Sequence, residues 1–134
     1  MAQMQPASSP AYISGVCNIN HAEIGRRRLV GYIGTTAFII IGGGLWALHV
    51  TSLLRLLVFI PATMAASGYL QASHKFCSGY GGRGLQNADD GSKAPQPVEN
   101  REDAIKDRRR ALVINLQSLA VGVIVTIIYM VIVR

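Results

Sequence analysis

Three long stretches without a formal charge constrain this chain more than any other feature. Leu29 to Val50, Leu56 to Ser73 and Ala111 to Val133 contain no Asp, Glu, Lys or Arg. A helix rises about 1.5 Å per residue, so about 20 apolar residues cross a hydrocarbon core of about 30 Å. A helix buried in a soluble protein keeps a polar stripe, whereas Leu119 to Val133 offers only Thr126 and Tyr129. A chain of 134 residues is too short to hide three such helices from water. The pattern predicts an all-α, polytopic membrane fold with transmembrane helices at 29–50, 53–72 and 111–133.

The first two spans are separated by so few residues that they must form an antiparallel hairpin. Ser52 is placed to cap the second helix. Arg55 falls in its first turn, where it can snorkel to the headgroups. Pro61 lies inside this span and predicts a kink, because it removes a helical hydrogen bond. Residues 1–16 are small, polar and proline-containing, which reads as a flexible tail. Residues 17–133 then form one membrane domain. The first apolar run begins behind three arginines and is too long for a signal h-region, which argues against a cleavable signal peptide.

Charge sets the expected orientation. Eleven of the thirteen Lys and Arg residues flank one side: Arg26, Arg27 and Arg28 before the first span, and eight between Lys75 and Arg110. Only Arg55 and Arg134 fall on the other. Basic ends stay in the cytoplasm, so the N-terminus and the 73–110 segment are expected inside the cell (inner) membrane and the C-terminus outside. The net charge of +6 is then mostly a topology signal. Acidic residues such as Asp89, Asp90, Glu99 and Asp107 dilute the 73–110 segment, which argues against nucleic acid as a partner. Arg26–Arg28 and Arg108–Arg110 are placed to meet anionic lipid heads.

Within that segment, Cys77 to Pro97 is rich in Gly, Asp, Asn, Ser and Pro and reads as a flexible loop. From there the pattern becomes helical, with Glu102 four residues before Lys106, and nothing interrupts it before the third span. One long helix over 99–133 is expected. A second cytoplasmic foot would start at His21, with Asn20 and Glu23 as a capping-box variant.

Four residues could carry chemistry: Cys17, His21, His74 and Cys77. The hairpin brings the two pairs to one side, and two thiolates with two imidazoles suit one tetrahedral Zn or an Fe ion. A reducing cytosol disfavours a Cys17–Cys77 disulfide; the bland alternative is inert structural residues. The run Gly79-Tyr80-Gly81-Gly82-Arg83-Gly84 formally matches a dinucleotide fingerprint, but it lacks the preceding strand and following helix. It reads instead as a glycine cap ending the second helix and a pliable turn.

In the third span Asn115, Ser118, Gly122, Thr126 and Tyr129 recur at helical spacing and define one small, polar face. Ala62, Ala65 and Ala66 offer a smooth face on the second span, as do Gly31, Gly34 and Gly42–Gly44 on the first. Such faces suit helix packing. Trp46, Tyr32, Tyr69 and Tyr129 read as interfacial anchors. The spans hold no Asp, Glu or Lys, which disfavours an ion or proton path, and no catalytic motif is present.

The expectation is a small integral membrane protein without enzymatic activity of its own, serving as an accessory, assembly or stabilising subunit. Its partners would be the lipid bilayer and other membrane subunits or copies of itself. The alternatives are a metal or thiol-redox protein using the Cys/His set, and a small oligomeric transporter lined by the 115/118/122/126/129 stripe.

Overall fold

The computed structural model describes residues 11–51, 53–88 and 94–134. These are mostly helical, and three helices are long and apolar enough to cross a membrane. The first, α1 (His21–Ala47), starts where expected. The Asn20 side chain accepts a hydrogen bond from the Glu23 amide at 3.0 Å, satisfying one of the orphan donors of a helix N-terminus. It ends three residues before the expected boundary, because His49 adopts a left-handed backbone with φ 53° and turns the chain. The proposed Ser52 cap lies outside the described residues.

The second span opens as a 3₁₀ helix over Leu53–Val58 and becomes regular in α2 (Phe59–His74). Arg55 Nε donates to the Val50 carbonyl, so its head is held at the connection. Pro61 is the third residue of α2, just past the change from 3₁₀ to α-helical geometry at Val58, a place near a helix start where proline costs less than in the interior.

The segment after α2 is more ordered than the sequence implies. α2 ends at His74 and is capped by Lys75, with φ 53°, and not by the glycine run. The glycines themselves form a short helix, α3 (Ser78–Arg83), which Gly84 closes with φ 69°. Leu85–Gln86 (β1) then pairs antiparallel with Gln96–Pro97 (β2), Leu85 opposite Pro97. The expectation of a flexible loop over Cys77–Pro97 is therefore corrected for its described residues. Glycine here allows close packing. A side chain at Gly81 would begin 2.6 Å from the Phe76 ring and 3.0 Å from the Asp107 carbonyl oxygen.

The third span is a single helix, α4 (Arg101–Ile132), capped by Asn100. Lys106 pairs with Asp103 at 3.7 Å, and not with Glu102 as the spacing suggested.

α1 and α2 run antiparallel at very short range. A Cβ at Gly68 would sit 2.3 Å from the Gly31 nitrogen, and one at Gly34 would sit 2.5 Å from the Ala65 nitrogen. α4 packs along α2, where Gly122 lies under Thr63 and Phe59. Small residues thus line the helix interfaces, with Ala62, Ala66 and Ala111 buried. Large apolar side chains such as Ile39, Ile40, Ile60, Leu112 and Ile128 point outward. That inverts the arrangement of a soluble bundle and matches helices that meet by close packing in an apolar medium.

Candidate functional site: a buried polar cap

At the arginine-bearing end, the chain before α1, the α2–α3 turn, β1 and the foot of α4 converge. Asn18 is the centre. It is fully buried, and its amide makes a two-way bond with Cys77: Nδ2 donates to the Cys77 carbonyl at 3.1 Å, and Oδ1 accepts from the Cys77 amide at 2.7 Å. Its backbone N–H donates to the Lys75 carbonyl at 3.2 Å, and its carbonyl accepts from the Asn87 amide at 2.9 Å. Asn87 returns a bond through Oδ1, which accepts from the Asn20 amide at 3.3 Å, while its buried Nδ2 has no partner among the described residues. Gln71 closes the far side: Oε1 accepts from the Ser78 amide at 3.1 Å, and Nε2 donates to Ser67 Oγ at 2.7 Å. Side-chain amides suit this task because each supplies both donors and acceptors to irregular backbone that must be buried.

Two carboxylates are also buried. Glu23 accepts from Arg26 Nη1 at 2.8 Å and faces Arg27 Nη2 at 3.5 Å. Nearby, Tyr80 packs on Ile19, Ile24, Ala72 and Cys77. Its phenol is pushed up from its ordinary value, first by burial and then by the Glu23 charge. Asp107, fully buried on α4, takes two donors from the N-terminal segment: Tyr12 Oη at 2.7 Å and the Gly15 amide at 2.7 Å. Residues 11–16 are therefore not part of a loose tail; Ile13 and Cys17 bond across a tight turn beside α4. Residues 1–10 lie outside the described region.

No family model matches this chain, and neither a curated protein nor a solved structure shows significant similarity to it.

The four expected metal ligands share this end without forming a ligand set. Cys17 is buried, and its thiol donates to the Ile19 carbonyl. His21 is exposed on the first turn of α1. Cys77 Sγ caps α3 by accepting from the Tyr80 amide at 3.5 Å. His74 meets Arg110, with 2.8 Å between His74 Nδ1 and Arg110 Nη2. Neither thiol is in a disulfide, and no three His, Cys, Asp or Glu among the described residues gather to hold a metal. The hairpin does unite the two segments, but through Asn18, which the Cys/His spacing gave no reason to choose.

The stripe on α4 is mostly as expected. Ser118, Gly122 and Thr126 are buried, and the two hydroxyls bond to carbonyls four residues back. Tyr129 reaches across to the Gly42 carbonyl at 2.7 Å. Asn115 is the exception: it is exposed, and Ile114 takes the inward position, fully buried with Ala111 and Phe76. Ala62 and Ala66 are buried, and Ala65 packs on Gly34. Among the expected interfacial aromatics, Trp46 is 63% exposed. Tyr69 turns inward, its ring against Gly31 and its hydroxyl 2.9 Å from Thr35 Oγ1. Arg28, Arg108 and Arg109 are exposed, and Arg110 is half-buried.

Proposed function

We propose that this chain is an integral protein of the cell (inner) membrane without catalytic activity, and that it acts as an accessory, assembly or stabilising subunit of a larger membrane complex. The N-terminus and the 73–110 segment face the cytoplasm in this reading, and the C-terminus faces the other side. The observation that carries it is the outer face of α1. Among the described residues, no atom lies within 4 Å of where a side chain would start at Gly43 or Gly44. Gly43 borders a groove of about 350 Å³ between α1 and α4, lined by Phe38, Gly42, Trp46 and Tyr129 among others. Gly31, Gly34 and Gly68 are all used up in the α1–α2 contact. The pair at 43 and 44 has no such contact among the described residues, and small residues let another helix approach closely.

The polar groups support the same reading. The cap's amides and the hydroxyls on α4 mostly bond to backbone of the same chain, which suits a rigid scaffold better than a catalytic centre. The spans carry no carboxylate or lysine to move protons or ions.

Solubilisation in a mild detergent, affinity capture through a C-terminal tag and mass spectrometry test the reading. Stoichiometric co-purification of another membrane protein, lost on Gly43→Leu, supports it. A chain that migrates alone at every detergent concentration overturns the subunit role. A reporter fused within the 73–110 segment that is active only outside the cytoplasm overturns the orientation.

A further inference from the structure

Arg110 is the last charge before the apolar part of α4, and it is placed unlike its neighbours. Arg26 and Arg27 share the Glu23 carboxylate. Arg110 is half-buried, its Nε is buried without a partner, and no carboxylate among the described residues lies within ion-pair distance of it. Its one side-chain bond is to His74 Nδ1, at the last residue of α2. A guanidinium can only donate, so Nδ1 accepts, and the imidazole is neutral with its hydrogen on Nε2. The pair therefore presents donors only: the remaining guanidinium N–H groups and the imidazole Nε2–H. A partly desolvated cation without a counter-charge is costly, and two fixed donors beside it fit the oxygens of a phosphate.

The pair also sits at a defined depth. His74 closes α2, and Arg110 precedes Ala111, where the charge-free part of α4 begins. In a chain that spans a bilayer this is the headgroup level, where phosphodiesters are the abundant anions.

We infer that Arg110 and His74 form a binding site for the phosphodiester of one anionic phospholipid, where the end of α2 meets the foot of α4. The inference rests on the membrane-spanning reading above. It differs from a general attraction of basic residues to an acidic surface, because a single lipid is held by two side chains that are already joined.

Native mass spectrometry of the detergent-solubilised chain, titrated with phosphatidylglycerol or phosphatidylcholine, is the test. Wild type should retain one phosphatidylglycerol at least fivefold more than phosphatidylcholine. Arg110→Gln and His74→Ala should each remove that preference. Arg101→Gln, which removes the same charge from the exposed start of α4, should keep it. Arg110→Lys keeps the charge but not the planar fork; it should weaken retention several-fold, and it serves as the reading if Arg110→Gln does not fold. Unchanged retention in Arg110→Gln, or equal loss in Arg101→Gln, overturns the site. Inorganic phosphate that displaces the lipid at millimolar concentration assigns the pair to a soluble anion and overturns the lipid. Alkaline extraction of membranes separates the two levels. A chain released by carbonate refutes the membrane reading itself, whereas a retained chain without lipid preference refutes only this site.

Discussion

The Asp107 carboxylate is bonded to Tyr12, 95 residues away in sequence, by a phenolic hydrogen bond of 2.7 Å. The same carboxylate accepts from the Gly15 amide, so one buried group on α4 fixes the whole N-terminal turn. Asp107→Asn replaces an acceptor oxygen by a donor facing donors. It should cost about 1–3 kcal/mol and expose the chain before α1 to proteolysis. Tyr12→Phe should cost less, about 1 kcal/mol. Limited proteinase K digestion with N-terminal mapping reads both, since no Lys or Arg precedes Arg26 and trypsin has no site there. Equal cleavage rates in wild type and Asp107→Asn would refute the latch.

Gly68 decides how closely α1 and α2 approach. A methyl there would meet the Gly31 nitrogen at 2.3 Å and the Arg27 carbonyl at 2.7 Å, and neither is a side chain that can move aside. Gly68→Ala should lower the thermal midpoint in detergent, with a cost of about 1–3 kcal/mol or more as the helices separate. Gly43→Ala is the contrast, because its space is open, and its midpoint should be unchanged.

Thr63 presents the opposite case. Its hydroxyl is buried between α2 and α4 beside Gly122, with no hydrogen-bond partner among the described residues. A desolvated hydroxyl without a partner is a cost, and valine has nearly the same shape. Thr63→Val should be neutral or stabilising by about 1 kcal/mol. A loss of more than that in a chemical or thermal melt would mean that the hydroxyl has a partner after all.

Cys77 works as a helix cap. Serine does this task well, so Cys77→Ser should fold with nearly unchanged stability, whereas Cys77→Val should lose about 1 kcal/mol. Both thiols are buried, so a permeant maleimide should label Cys17 and Cys77 only after denaturant is added. Rapid labelling of the native chain would contradict their placement.

The long helices could be read from the sequence because charge-free length is a property of each segment alone. Asn20 was legible as a cap for the same reason, since its partner is three residues away. The buried polar cluster around Asn18 was not legible. Asn18 and Cys77 are 59 positions apart, and Gly15 and Asp107 are 92 apart. No local pattern marks an asparagine or aspartate that will be buried by a distant segment. On α4 the expectation that polar residues turn inward chose Asn115 over Ile114. The observed inner face runs from Asp107 through Ala111 and Ile114 to Ser118, and its register is set by Phe76 and Leu70 packing on Ala111 and Ile114. The cysteines and histidines drew attention by their chemistry, while the amides beside them hold the segments together.

The latch from Tyr12 to Asp107 has a consequence for how the protein is made. A ribosome releases residues in order, so the turn that carries Tyr12 and Gly15 emerges long before the Asp107 carboxylate does. Until α4 begins to appear, this latch cannot close, although α1 and α2 have already been made. The turn is thus synthesised ahead of both helices and settles only after them, and a nascent chain stalled before residue 107 would carry it without its carboxylate.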